Sequence, residues 1–155
     1  MQKQTISTCI LLAVAIASCK TVPVTGRKQI NLVPEAMITA MALTEYDSVV
    51  KYSATLTQYD ERAQMVTRVG SKIQHAVETY MQQHNMSKDL KNFKWDYNTI
   101  DDATVNAWCM PGGKVVVYTG LLPFTQNENA LAVVMGHEIA HAIARHGNER
   151  MSQGL

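Results

Sequence analysis

The sequence predicts a single α+β domain, rich in helices and carrying a small antiparallel β-sheet. The prediction rests on three features: long segments with helical apolar periodicity, short strand-like segments between them, and a length of 155 residues that suits one domain. Apolar residues make up 46% of the chain and charged residues 17%, which is typical of a packed globular protein. Three cysteines cannot build a disulfide scaffold, and a net charge of +1 indicates no nucleic-acid partner.

The first 18 residues have the pattern of a secretory signal peptide. Lys3 supplies a positive charge, and residues 9–17 form a mostly aliphatic run that is too short to span a bilayer. The run ends in Ile16-Ala17-Ser18-Cys19, which resembles a bacterial lipobox. We therefore expect residues 1–18 to be removed and Cys19 to carry the lipid that anchors a periplasm-facing lipoprotein to a membrane. A signal peptide without lipid and a buried helix are the alternatives.

Residues 19–32 are expected to form a polar tether with a possible short strand, and the folded domain is expected over residues 33–155. A first helix begins near Pro34, and its apolar side consists of Met37, Met41, Val49 and Val50. A second helix runs over residues 60–83 with Asp60 as its N-cap. Its apolar stripe recurs at steps of three and four residues and consists of Val66, Val69, Ile73, Val77, Tyr80 and Met81.

Three strands are predicted after the second helix. Phe93, Trp95 and Tyr97 alternate with polar residues, and residues 105–110 and 114–119 are two further strand segments. The turn residues Pro111-Gly112-Gly113 separate the last two segments, so these two strands are expected to form an antiparallel hairpin.

The last predicted helix starts at Thr125, where Thr125 and Glu128 fit a capping box, and it continues to about residue 145. Its first half is apolar nearly all round, which predicts burial. At about 100° per residue, Glu138, His141 and Arg145 lie about 100°, 40° and 80° from His137 on the helical wheel. A charged wedge on a buried helix is costly unless its members are paired or bind a metal, so this wedge is a candidate site.

Residues 137–141 form an H-E-x-x-H motif within that wedge. Two histidines four residues apart project from one face of a helix, so both imidazoles can reach one ion. Zinc accepts imidazole nitrogens, and catalytic zinc sites use three protein ligands and a water. We expect one zinc ion per chain held by His137 and His141, with Glu138 as the general base that takes a proton from the zinc-activated water.

The motif and its surroundings resemble the M48 metallopeptidases. The residues that carry the resemblance are Gly136-His137-Glu138-Ile139-Ala140-His141, Ala144-Arg145-His146-Gly147, Glu149-Arg150-Met151-Ser152, Asn106-Ala107-Trp108, Pro111-Gly112-Gly113 and Thr119-Gly120-Leu121-Leu122. The similarity covers residues 33–155 and is to the periplasmic, lipoprotein-type branch. It implies a zincin-like (gluzincin) fold and a zinc-dependent endopeptidase that hydrolyses cell-envelope proteins.

The same resemblance implies a substrate-binding strand. The segment that contains Asn106, Ala107, Gly112 and Gly113 would be the sheet edge that pairs with an extended substrate backbone. An alternative function is a non-catalytic envelope lipoprotein that binds unfolded or assembling proteins through this hairpin edge.

The third zinc ligand of the family is a Glu on a separate helix, several tens of residues beyond the motif. We expect it beyond Leu155, in a C-terminal part that this sequence lacks. Glu149 lies eight residues after His141, about 12 Å along a continuing helix, and His146 would point about 180° from the first ligand. On that geometry neither residue replaces the missing ligand.

Overall fold

A computed structural model describes residues 19–154 of the chain. The predicted signal peptide lies outside the described residues, and so does the side chain of Cys19. None of the helices between residues 19 and 154 combines the length and apolar character that a membrane crossing requires. The strands are β1 (Cys19–Thr21), β2 (Lys28–Ile30), β3 (Asp96–Ile100), β4 (Ala107–Met110) and β5 (Lys114–Tyr118). The α-helices are α1 (Glu35–Tyr52), α2 (Glu61–Gln83), α3 (Leu122–Thr125), α4 (Glu128–Ile143) and α5 (His146–Gln153).

The predicted hairpin of β4 and β5 is confirmed. The two strands pair antiparallel from Ala107 opposite Val117 to Met110 opposite Lys114. The turn between them needs glycine, because Gly112 and Gly113 have φ of 90° and 81°. The three-stranded sheet has the order β3-β5-β4, so β5 is its central strand and β4 lies at an edge.

The third strand differs from the expectation in position and direction. It begins at Asp96, later than the predicted Phe93, and it pairs with β5 in parallel, so the sheet is mixed where an antiparallel one was predicted. The connection over residues 101–106 carries the chain past the end of β5, where the amide of Gly120 donates to the carbonyl of Asp102 at 2.9 Å. This crossing places β3 on the far side of β5 from β4.

The long helix α2 is close to its prediction. The carboxylate of Asp60 caps it by accepting from the amide of Arg62 at 2.9 Å, and the arginine holds the pKa of that carboxyl below its usual range. The side chains of Val66, Val69 and Met81 are buried in the main core. The helix crosses the sheet closely, since a Cβ on Gly70 would lie 2.4 Å from the ring of Tyr97.

The helix α1 buries only part of its predicted apolar side, because Val49 and Val50 pack against a buried cluster that includes Tyr46 but the two methionines do not. Ile38 and Tyr46 are buried, whereas Met37 and Met41 are 55% and 51% exposed. The helix packs on the sheet through a narrow contact in which the ring of Tyr46 meets the ring of Trp108 edge-on, with centroids 6.2 Å apart. The two methionines lie outside this contact.

Two expectations about the last long helix are wrong. Its N-cap is Asn127, whose side chain accepts from the amide of Ala130 at 3.0 Å. The predicted cap, Thr125, instead ends the short helix α3, where its hydroxyl donates to the carbonyl of Leu122. The helix is also buried on one side only, because Val133 is 73% exposed. Its opposite side packs against β4, and the core residues on that side are Leu131, Met135, Ile139 and Ile143.

The close approach at Gly120 predicts a stability effect. A Cβ on Gly120 would lie 2.2 Å from the carbonyl oxygen of Ala103, which is backbone and cannot rotate away. Gly120→Ala is expected to lower the free energy of unfolding by at least about 2 kcal/mol, measured by urea denaturation. Gly147→Ala is the control, because a Cβ there meets nothing within 4 Å, and it should leave the stability unchanged or raised. Equal stability of the two variants would contradict the packing at Gly120.

Candidate metal centre

The helix α4 brings the two motif histidines together. The Nε2 atoms of His137 and His141 lie 2.9 Å apart, and their ring centroids are 4.4 Å apart. His137 is exposed, while Glu138 and His141 are half-buried. The two imidazoles therefore converge through the same ring nitrogen on one point at the surface, which is an arrangement that a zinc ion can use.

The structure corrects the expected course of the chain after this point. The helix α4 ends at Ile143, Arg145 adopts the left-handed conformation with φ of 57°, and a new helix begins at His146. The turn brings His146 back beside His141, with their Nδ1 atoms 2.5 Å apart. The expectation that His146 points away from the wedge is therefore wrong, because it assumed an unbroken helix.

The same turn takes Arg145 out of the predicted wedge. Its guanidinium donates to the carboxylate of Asp89 at 2.9 Å and lies 3.8 Å from that of Glu35. These two acidic groups belong to other parts of the chain, so sequence spacing alone could not identify them. The positive charge of Arg145 thus holds the turn in place and does not face the histidines.

The short helix α5 adds polar side chains to the site. A cleft of about 470 Å³ is lined by Glu138, His141, His146, Glu149, Arg150 and Gln153. Burial and the neighbouring charge of His141 lower the pKa of His146. Glu149 lies in this cleft because the helix is broken, contrary to the distance argument made for a continuous helix.

Glu149 is held by an arginine from the N-terminal segment. Its two carboxylate oxygens each accept from the guanidinium of Arg27 at 2.6 Å, and this hydrogen bonding keeps the pKa of Glu149 below its usual range. Within residues 19–154, no group of three or more His, Cys, Asp or Glu side chains is arranged to hold a metal ion.

Residues 19–32 are more ordered than the expected tether. The strands β1 and β2 pair antiparallel, and Val22 is only 2% exposed. Residues from the hairpin loop and from α4 and α5 enclose a recess of about 310 Å³, which is lined by Pro23, Val24, Thr25, Arg27, His137, Ala140, His141, Ile143, Ala144 and His146. The turn residue Gly26, with φ of 68°, is the sequence signal that could have indicated this hairpin.

The four predicted substrate-binding residues occupy two ends of one hairpin. Ala107 begins the edge strand β4, and the side chain of Asn106 accepts from the amide of Ala107 at 2.9 Å. Gly112 and Gly113 form the turn at the other end, where their carbonyls accept from the amides of Lys94 and Asp96. The two glycines therefore serve the turn and the sheet edge near β3.

The thiol of Cys109 lies on β4, the strand that packs against the motif helix. Burial raises the pKa of Cys109 to about 12, and the negative charge of Glu138 adds to this increase. The helix that carries Glu138 packs against β4, the strand that contains Cys109. A thiol with so high a pKa stays protonated at neutral pH, which fits a packing role for Cys109.

A family model and several known proteins that resemble this chain all describe peptidases. Residues 67–155 match the family model described as peptidase family M48. The mitochondrial metalloendopeptidase OMA1 of Schizosaccharomyces pombe is 34% identical over 133 residues, which are 84% of this chain and 36% of that protein. The OMA1 metalloendopeptidase of Homo sapiens is 28% identical over 133 residues, 83% of this chain and 24% of that protein.

A bacterial relative matches a shorter region. The putative beta-barrel assembly-enhancing protease of Vibrio cholerae is 47% identical over 47 residues, which are 30% of this chain and 10% of that protein. The chain spans 36% or less of the length of each of these relatives.

The helix break at Arg145 can be tested by comparing two substitutions at this position. Arg145→Gly and Arg145→Ala both remove the ion pair with Asp89, so their difference in stability reports the backbone alone. Because φ is positive here, the glycine variant is expected to be more stable by about 1 kcal/mol in urea denaturation. In a continuous helix the order would reverse, since alanine is favoured over glycine by about 1 kcal/mol.

Proposed function

The chain belongs to peptidase family M48, and on that premise we propose that the full-length protein is a zinc-dependent endopeptidase of the cell envelope. His137 and His141 are the proposed zinc ligands, and Glu138 is the proposed general base. The third ligand is proposed to come from outside residues 19–154. The names of the relatives, which are metalloendopeptidases and a protease, support this assignment.

One observation supports the proposal above the others: the Nε2 atoms of His137 and His141 converge to 2.9 Å on the exposed side of α4, with Glu138 between them in sequence. The pairing places two ring nitrogens where both lone pairs can reach one ion once neither nitrogen carries a proton. The donor set suits zinc, which takes imidazole nitrogens and leaves one position open in catalytic sites.

The proposed mechanism assigns a separate task to each side chain. When bound, zinc supplies a Lewis acid that activates water and polarises the scissile carbonyl. Glu138 would accept a proton from the attacking water on its carboxylate and would later donate it to the leaving amine. Glu138 is half-buried on α4, which packs against β4. Its carboxylate would therefore lie close to a peptide that binds along this strand.

The edge strand β4 is the proposed binding site for the substrate backbone. Its one paired side is taken by β5, and it packs against α4, which carries the motif. An extended peptide that adds to this edge would run past Glu138. We propose that Asn106 and Ala107 take part in this pairing, and that Gly112 and Gly113 shape the turn that ends it.

The proposed location is the periplasmic side of a membrane. Residues 1–18 are the proposed signal peptide, and lipid on Cys19 is the proposed anchor. Because β1 begins at Cys19 and its hairpin loop borders the histidine recess, an anchor at this residue would hold the candidate site near the lipid surface. Envelope proteins next to that membrane would then be the proposed substrates.

A second candidate function uses the same edge strand without catalysis. In it, the full-length protein binds unfolded or assembling envelope proteins through β4. The observation that favours it is the open strand edge, which supports peptide binding whether or not zinc is present. The two functions differ in their response to removal of the base.

Glu138→Gln in the full-length protein is expected to abolish peptide hydrolysis while zinc stays bound. The amide cannot accept the proton, whereas both histidines remain, so the rate should fall by at least about 10²-fold. Cleavage of casein and zinc content are the measurements. Glu45→Gln is the control for loss of a carboxylate, because Glu45 is exposed on α1 and does not line the cleft, so this variant should keep its activity. A near wild-type rate for Glu138→Gln would refute the assignment of Glu138 as the base, whereas a wild-type protein that cleaves no casein would favour the second function.

Cys19→Ser is expected to move the protein from the membrane fraction to the soluble periplasmic fraction, because it removes the proposed acylation site. Incorporation of labelled palmitate and cell fractionation are the measurements. Cys109→Ser is the matched control and should remain in the membrane fraction. The lipobox prediction is wrong if the wild-type protein incorporates no palmitate or is already soluble.

A further inference from the structure

The imidazole of His141 has a different neighbour at each ring nitrogen. Its Nε2 faces the Nε2 of His137 at 2.9 Å, and its Nδ1 faces the Nδ1 of His146 at 2.5 Å. The two nitrogens lie on different sides of the ring. The contact of Nε2 with His137 is on the side where a metal would bind. The contact of Nδ1 with His146 is on the opposite side of the ring.

A histidine that binds a metal through Nε2 in its neutral form carries its proton on Nδ1. That proton needs an acceptor, and metal-ligating histidines generally donate it to a carboxylate, a carbonyl or another acceptor that sets the tautomer and the ring orientation. The Nδ1 of His146 is the neighbour of His141 at this atom.

We propose that His146 is a positioning residue for the metal site, accepting the Nδ1 proton of His141 and thereby directing the Nε2 lone pair of His141 at the ion. The proposal rests on the function proposed above, in which His141 is a zinc ligand. His146 itself is not a ligand in this arrangement, because its Nδ1 faces the Nδ1 of His141 and not the Nε2 that would bind the ion.

The chain holds His146 in this place through contacts on both sides of it. The left-handed turn at Arg145 is tied to Asp89, and it starts α5 at His146. Farther along α5, the side chain of Asn148 donates to the carbonyl of Val33 at 2.9 Å, and the hydroxyl of Ser152 accepts from the amide of Leu32 at 2.8 Å. These contacts fix the position of α5, and with it the backbone of His146, before a metal binds.

Calorimetric zinc titration of the full-length protein tests the proposal. His146→Ala is expected to weaken zinc binding by about 10- to 100-fold, the usual effect of removing a partner of a metal-ligating histidine. His146→Asn should restore most of the affinity, because the amide oxygen can accept where Nδ1 did. His75→Ala is the control for loss of a histidine, since His75 is exposed on α2 and should not affect binding.

Nitrogen-15 NMR of the zinc-loaded wild-type protein adds a readout that does not depend on any variant folding. It should find the proton of His141 on Nδ1. The absence of a scalar coupling across the hydrogen bond between Nδ1 of His141 and Nδ1 of His146, or zinc affinity of His146→Ala within twofold of wild type, would overturn the positioning role. His141→Ala separates the two proposals: if this variant binds zinc as tightly as the wild type, the proposed zinc site itself is wrong.

Discussion

The burial of one side of α4 against the edge strand β4 is the contact on which the candidate site depends. Leu131, Met135 and Ile139 repeat every four residues and are no more than 1% exposed. Their removal from water fixes the rotation of the helix. His137 then lies on the exposed side, His141 lies one turn farther along, and Glu138 is half-buried. A rotation of the helix would move the histidines into the core and separate them from β4.

The left-handed conformation of Arg145 separates α4 from α5 and so brings His146 next to the motif histidines. A single residue with positive φ follows the end of α4, and a new helix starts after it, so α5 lies beside His141 instead of extending from α4. The conformation costs about 1–2 kcal/mol in a residue with a side chain. The ion pair with Asp89 and the hydrogen bonds that Asn148 and Ser152 make to the N-terminal segment offset this cost.

The charged groups around the cleft hold separate parts of the chain together. Arg27 from the N-terminal hairpin is paired with Glu149 on α5, and Arg145 is paired with Asp89 from the segment after α2. The Arg27–Glu149 pair has an exposed guanidinium and contributes little stability, so its main effect is on geometry. The two pairs position the hairpin, the turn and α5 around His141, and they leave the motif histidines free of any carboxylate partner within the described residues.

Much of this architecture follows from local patterns that a sequence displays directly. The spacing of Val66, Val69 and Met81 defined α2, and the turn Pro111-Gly112-Gly113 between two apolar segments defined the hairpin. The motif at residues 137–141 indicated the two converging histidines, because two residues four positions apart share a helix face whatever surrounds the helix.

Other features were decided by contacts between distant residues. Residues 144–146 contain no glycine or proline that would predict the left-handed turn. The turn depends on Asp89, which lies more than fifty residues earlier in the chain. The parallel pairing of β3 and the packing of residues 19–32 against α5 depend on similar long-range contacts. By itself, then, the sequence determined the motif, its helix and the family resemblance. Only the tertiary structure decided which side chains surround His141, because helix periodicity specifies a face and not the partners that pack against it.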